Sequence, residues 1–191
     1  MISKKEMENA LAKELKDNKE YAEVLNIVKK NTLGKIWLIG GAVSRNIIKA
    51  IYKYSQPQHD FDFLVEKLKE DLIVSVDWKI AKNKFNNPKF IRGNTEVDIV
   101  PLETVESILE RKLKPTIEHF LTGTPLDIQS LVFDVDKKEL IGDLGIKALQ
   151  RKEIRINNKK RFLAKAQRKG LTPEELLQQK AKSLGFKAIF K

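Results

Sequence analysis

Three aspartates and a pair of glycines are the residues of this chain best suited by type and spacing to do chemistry together. Asp60 and Asp62 stand two apart in the run Asp60-Phe-Asp-Phe-Leu-Val65. On a strand, residues i and i+2 project to the same side, so both carboxylates would share one face. Like charges held that close repel unless a cation lies between them or one carboxyl keeps its proton. Asp98 stands in Thr95-Glu-Val-Asp-Ile-Val100, an acid within an otherwise apolar run, where it needs a partner or a metal. Hard divalent ions such as Mg²⁺ take oxygen ligands and keep room for waters and phosphates. Asp60, Asp62 and Asp98 are therefore candidate ligands for two Mg²⁺ ions, with Mn²⁺ as the alternative, and two such ions can serve the attacking and leaving oxygens of a displacement. Gly40-Gly41 lies between an apolar run and a helical pattern, where backbone N–H groups can approach phosphate oxygens. Ser44 and Arg45 follow in the first turn of that helix. Taken singly, each feature has a plainer explanation: a strand start with solvated acids, a buried paired acid, a tight turn, a surface arginine.

The elements that must position these residues can be read from periodicity and punctuation. Ser3 with Glu6 forms a capping-box pattern that opens a helical segment over 3–30, with a break near Asp17-Asn18. Asn31 to Gly34 reads as a turn and Lys35 to Ile39 as a buried strand ending at the diglycine. Ala42 to Tyr54 has helical spacing, and Ser55 to His59 reads as a loop. Asp60 to Val65 reads as a strand, Glu66 to Leu72 as a short helix, and Ile73 to Ile80 and Lys89 to Arg92 as strands. Gly93-Asn94 marks a hairpin turn into the strand Thr95 to Val100. Short helices are expected over 104–113 and 116–121, strands over 128–135 and 138–141, a helix over 143–150 and an extended segment over 153–156. A basic helix is expected over 158–169. Thr172, Pro173 and Glu175 then supply cap, first-turn proline and capping-box acid for a last helix that Gly185 ends. Trp37 and Trp78 fit core or sheet positions, and His119 has no evident partner.

Composition limits the function classes. The 191 residues contain no cysteine, which excludes disulfides and thiolate metal sites, and only two histidines, which disfavours histidine-based zinc catalysis. No run resembles an export signal or a bilayer span, so the expected location is cytoplasmic, without membrane contact. The net charge of +11 is unevenly placed. Residues 147–191 hold 14 Lys and Arg against 3 Glu, leaving 23 bases and 23 acids in the first 146 residues. A basic end of this kind suits a phosphate backbone and points to RNA; a solvated helical face is the plainer alternative.

Taken in order, these motifs resemble the DNA polymerase beta-like nucleotidyltransferase superfamily, most closely the head domain of bacterial poly(A) polymerases and class II CCA-adding enzymes. The resemblance is carried by Ile39-Gly-Gly-Ala-Val43, His59-Asp-Phe-Asp-Phe-Leu-Val65, Glu96-Val-Asp-Ile-Val100 and the stretch Leu126 to Ile156. It implies an α+β fold with a mixed, mostly antiparallel sheet and helices packed on one side, followed by short basic C-terminal helices. The corresponding division is a head domain over 1–156 and a basic helical appendage over 157–191. It also implies an Mg²⁺-dependent enzyme that moves a nucleoside monophosphate from a triphosphate to an acceptor hydroxyl of tRNA-like RNA. Asp60, Asp62 and Asp98 would be its catalytic and metal-binding residues, and Gly40, Gly41, Ser44, Arg45 and Asp127 its nucleotide-binding residues. Two further expectations stay beside this one: the same fold modifying a protein or small molecule, and a non-catalytic RNA-binding relative. The sequence departs from the pattern in three places. Ser44-Arg45-Asn46 stands where Arg-Asp is usual, Thr124-Pro125-Leu126 replaces paired arginines, and the base-selecting Glu-Asp-x-x-Arg motif is not found. The segment after Ile156 is also too short for the full neck, body and tail of a CCA-adding enzyme, so complete CCA addition by this chain alone is not expected.

Overall fold

The structure is a computed structural model that describes residues 2–54 and 60–190. The expected loop at 55–59, including His59, lies outside the described residues. The chain opens with α1 (Lys4–Asp17) and α2 (Lys19–Asn31). Ser3 and Glu6 cap α1 reciprocally, the Glu6 carboxylate accepting from the Ser3 N–H at 2.7 Å. Asn18 is the whole break between the helices: it ends α1 and caps α2, its side-chain oxygen accepting from the Tyr21 N–H at 3.0 Å. Next come β1 (Thr32–Ile39), α3 (Gly40–Tyr52), β2 (Asp60–Leu68), β3 (Lys79–Lys82), β4 (Pro88–Arg92) and β5 (Thr95–Pro101). Short helices α4 (Glu106–Leu109) and α5 (Ile117–Gly123) follow. The hairpin β6 (Val132–Asp134) and β7 (Glu139–Ile141), α6 (Asp143–Arg151) and β8 (Glu153–Ile154) come next. The chain closes with α7 (Lys159–Arg168), α8 (Pro173–Leu184) and β9 (Lys187–Ala188).

Among the described residues, seven strands form one sheet in the order β3-β4-β5-β2-β1-β6-β7. Every neighbouring pair is antiparallel except β2 and β5, which run parallel. The α+β class and the mixed, mostly antiparallel sheet are as the sequence implied. Alternation along the strands sorts the side chains by face. Phe61, Phe63 and Val65 of β2, Val97 and Ile99 of β5, and Ile36 and Leu38 of β1 enter the main core beneath α1, α2 and α3. Trp37, Leu64 and Val132 point to the other face, where Val105, Ile108 and Ile117 cover them in a smaller cluster. Both tryptophans are buried.

Three local expectations fail, each because tertiary contacts outweigh local pattern. Glu66 to Leu72 is not a helix. β1 begins at Thr32 rather than after a turn, so it offers β2 partners as far as Leu68, and the strand continues. Ile73 to Ile80 is not a strand until Lys79. The irregular stretch before it is fixed by Asn31, whose amide donates to the Ile73 carbonyl at 2.7 Å. The segment 128–135 is a strand only at 132–134, because Asp127 to Gln129 turn as a 3₁₀ helix.

The C-terminal helices pack into the main core. Phe162 and Ala166 of α7 and Leu176, Leu177 and Ala181 of α8 belong to the same apolar cluster as the sheet. β9 returns to pair in parallel with β8, Glu153 opposite Lys187. Gly185 ends α8 in the left-handed conformation, as its position suggested.

Candidate active site

The parallel pairing of β2 and β5 builds the site. It sets Asp62 directly beside Asp98 and Asp60 beside Glu96, all on the face opposite the main core. β1, on the other side of β2, sets Ile39 opposite Asp62. The next residue, Gly40, therefore meets the carboxylate at the point where β1 turns into α3. Gly40 has a φ of +69°, and a Cβ there would lie 2.7 Å from Asp62 Oδ2. Both its backbone and its surroundings call for glycine. No side chain caps α3, and its first turn carries no acid. Its leading N–H groups and the positive end of its dipole thus sit beside Asp62.

The acids have distinct environments. Burial pushes Asp62 up to about 6, and the charges of Asp98 and Asp60 push the same way, against weaker pulls from Lys89 and Lys165. Asp98 accepts from the Asn83 amide at 2.8 Å and faces the Lys89 ammonium at 3.3 Å. Lys89 is shared with Glu96 at 2.5 Å, and that hydrogen bond is the main reason its ammonium titrates above the ordinary lysine range. Asp60 is exposed at the start of β2. Among the described residues, no three metal-binding side chains converge closely enough to form a ligand group. The donors nevertheless suit a hard cation. Asp62 and Asp98 are neighbouring carboxylates whose combined charge exceeds what Lys89 alone removes, and the Lys89 ammonium already occupies a place where a cation is stabilised.

Two clefts meet this constellation. One, of about 440 Å³, is bounded by Asp62 and Asp98 and by Asn83, Lys84 and Phe85 of the β3–β4 loop. The other, of about 100 Å³, lies between the start of α3 (Gly40, Gly41, Ser44 and Arg45) and Lys180 and Ser183 of α8. Gln129 also lines it, and among the described residues its Oε1 is a buried side-chain oxygen without a hydrogen-bond partner. A larger apolar groove of about 580 Å³ between α1, α2 and Phe133 contains none of these residues. The chemistry favours the two smaller, polar clefts.

Four of the five expected nucleotide-binding residues, Gly40, Gly41, Ser44 and Arg45, thus line one cleft. Ser44 is buried, and its hydroxyl donates back to the Gly40 carbonyl at 3.3 Å. Asp127 is elsewhere. Its Oδ1 accepts from the Ile128 N–H at 2.7 Å and the Arg155 N–H at 3.0 Å, fastening the 3₁₀ turn to the segment before α7. Its flanks Leu126, Ile128 and Gln129 reach the cleft, while Asp127 borders a separate small cavity with Arg151 and Arg155. His119 sits on α5 with its Nδ1 2.8 Å from the Lys114 carbonyl.

Sequence reasoning passed over Asn83, Lys89, Lys165 and Lys180. Lys89 comes to Asp98 through the β4–β5 register, which pairs those two residues. Asn83 accepts from the N–H groups of Phe85 and Asn87 while donating to Asp98, so one side chain ties the β3–β4 turn to the acid. The only hint in the sequence was the polar run Asn83 to Asn87, which reads simply as a turn.

No protein-family profile and no curated protein matches the chain. Solved structures do. The Bacillus stearothermophilus CCA-adding enzyme in complex with CTP aligns over 88% of this chain and 39% of its own, at 16% identity and a TM-score of 0.53. A tRNA nucleotidyltransferase complexed with a primer tRNA and an incoming ATP analog aligns over 81% and 43%, at 16% identity and a TM-score of 0.51. A tRNA-processing enzyme with CTP aligns over 81% and 40%, at 15% identity and a TM-score of 0.51. The chain spans about two fifths of the length of these structures. At such identity the likeness establishes the fold alone, which this chain shares with those structures.

Proposed function

We propose that this chain is a nucleotidyltransferase that joins a nucleoside monophosphate to an acceptor hydroxyl of RNA. The observation that carries the reading is the side-by-side placement of Asp62 and Asp98 against Gly40, where an uncapped helix start meets two carboxylates. The neighbours' titles name CTP, an ATP analog and tRNA, which supports a triphosphate donor and a tRNA-like acceptor here.

In this reading the phosphates lie along Gly40-Gly41, with the first N–H groups of α3 directed at their oxygens. Asp62 and Asp98 would hold a divalent ion, Mg²⁺ by their chemistry, and Asp60 would join them as a further ligand. The bound ion supplies positive charge for the phosphate oxygens and makes the acceptor hydroxyl easier to deprotonate. Asp98, hydrogen-bonded by the Asn83 amide, would take that proton. The acceptor oxygen then bonds to the α-phosphorus, the bond from that phosphorus to the bridging oxygen breaks, and pyrophosphate departs. The protein contributes positioning and preorganised charge. The excess basic charge of residues 147–191 would attract the acceptor's backbone, and 1–156 would serve as the catalytic head.

The test is incubation with each labelled triphosphate, Mg²⁺ and total RNA, for the wild type and for Asp62→Asn and Asp98→Asn. Label should enter RNA with the wild type alone. No transfer with any triphosphate sinks the proposal, and label entering only protein or small molecules moves the acceptor to another class. One observation favours a second reading, a non-catalytic RNA-binding relative: Lys89 already faces Asp98. Salt-sensitive RNA binding without any Mg²⁺ or triphosphate binding would select it.

A further inference from the structure

The 580 Å³ groove lies on the face of the sheet that α1 and α2 cover, whereas Asp62 and Asp98 stand on the other face. Leu15 of α1, Tyr21 and Leu25 of α2, and Phe133 and Val135 at the end of β6 line it. Leu15, Tyr21, Phe133 and Val135 are nonetheless buried, so the groove is a slot between helices and strand rather than a broad trough. A second helix, about 10–12 Å across with its side chains, would have to part those walls, and an alkyl chain would not. The volume falls within the roughly 300–1,000 Å³ of small-ligand sites.

The charged side chains at this slot are of one sign. Lys13 and Lys16, three apart on α1, share a side of that helix, and Lys138 enters from the β6–β7 turn. All three are exposed, and among the described residues they form no ion pair. No acid lines the slot among the described residues. Glu14 is taken by Lys49 at 2.5 Å and Asp136 by Lys29 at 3.6 Å. Asp17 and Glu139 adjoin the lysines in sequence without lining the slot. Tyr21 adds a polar atom. Its ring lies against Phe61 and Phe63, with centroids 6.0 and 6.3 Å away, and its hydroxyl has no hydrogen-bond partner among the described residues. Burial, and then the charge of Asp136, hold this phenol above its ordinary range, so it stays a donor. Apolar walls with one free donor and three cations at the rim complement a ligand with an apolar tail and an anionic head.

We propose that the slot between α1, α2 and β6 binds a long-chain carboxylate, its alkyl chain against Leu15, Leu25 and Phe133 and its carboxylate at Lys13, Lys16, Lys138 and the Tyr21 hydroxyl. The site shares no residue with the acids or the diglycine, so its occupancy is read without any transfer assay.

The probes are octanoate, decanoate and dodecanoate, titrated calorimetrically into the full chain at low ionic strength and below their micelle-forming concentrations. Wild type should bind a single equivalent, and each added pair of methylenes should tighten binding roughly tenfold. Decyltrimethylammonium, which carries a cationic head on the same tail, should bind at least about tenfold more weakly than decanoate. Lys13→Gln, Lys16→Gln and Lys138→Gln together should weaken decanoate about tenfold. The same change at Lys79, Lys159 and Lys182, exposed elsewhere, should weaken it less than about twofold. Tyr21→Phe should cost about fivefold. Ala22→Trp, at an exposed position on the rim, should abolish binding by filling the slot. Should that variant fail to fold, the first lysine triple decides by its tenfold criterion. Absence of wild-type binding, equal affinity for decyltrimethylammonium, no dependence on chain length, or equal losses in the two lysine triples would each overturn the proposal. So would a dimer in sedimentation that Ala22→Trp dissociates, since a second copy would then fill the slot, or an acidic amphipathic peptide that binds there when no carboxylate does.

Discussion

Replacing Asp62 with asparagine should make the metal-free protein more stable, even though it removes a residue assigned to catalysis. Asparagine fills nearly the same space and carries no charge. The folded protein holds Asp62 at about 6 against an ordinary value of 3.8, chiefly through burial and then through Asp98 and Asp60. The unfolded chain therefore ionises this group more readily than the folded one. Above pH 6 folding must confine a charge that it disfavours, and below the ordinary value no such difference remains. At about 1.4 kcal/mol per pH unit, the gap between 3.8 and about 6 corresponds to roughly 3 kcal/mol at pH 8. The same relation leaves less than about 1 kcal/mol at pH 4, because the wild-type group is then largely protonated when folded. For a domain of this size, roughly 3 kcal/mol corresponds to a rise in melting temperature of about 6–12 °C. Thermal melts of both proteins in chelator at pH 8 and pH 4 provide the assay. Added Mg²⁺ should raise the wild type and leave Asp62→Asn unmoved. An Asp62→Asn protein that melts below the wild type at pH 8, or a gap that persists unchanged to pH 4, would refute the account of an uncompensated buried acid.

Gly40→Ala should lose triphosphate binding, because the new methyl would meet Asp62 Oδ2 at 2.7 Å and force the left-handed backbone on an alanine; the strain should cost about 1–3 kcal/mol in denaturant unfolding. Lys89→Met should destabilise the protein in chelator at pH 8 by withdrawing the cation shared by Glu96 and Asp98, and Mg²⁺ should restore more stability to this variant than to the wild type. Phe162→Ala should cost about 3–5 kcal/mol in equilibrium unfolding, because that ring is fully buried where α7 joins the main core. RNA affinity should fall linearly on a log–log plot against salt, and Lys159→Met should flatten that slope.

Much of this arrangement was legible in the sequence because it rests on local rules. The capping boxes at Ser3 and Thr172, the helix break near Asp17-Asn18, the Gly93-Asn94 turn and the alternation in Asp60 to Val65 each depend on residues within a few positions of one another. The same applies to the diglycine between strand and helix. The misread segments lack such local determinants. Glu66 to Leu72 had helical spacing, but β1 supplied partners that its own sequence did not advertise. Asp127, which the family resemblance implied as a nucleotide-binding residue, accepts from the N–H groups of Ile128 and of Arg155, the latter 28 residues away.

The sequence by itself determined which atoms are available: three aspartates, two glycines, a basic final quarter, and no thiol to compete for a metal. Tertiary structure decided which of them meet. The parallel register of β2 and β5 sets Asp62 beside Asp98, and the β4–β5 register brings Lys89 to the same acid. Packing of Phe162 and Leu177 into the main core leaves Lys165 and Lys180 half-buried, Lys180 at the cleft beside Gly40, while Lys159 and Lys182 remain in water. The physical reason is one of range. Caps, turns and alternation are settled by neighbours along the chain, whereas the interaction of two charges depends on their separation in space and on the water removed between them.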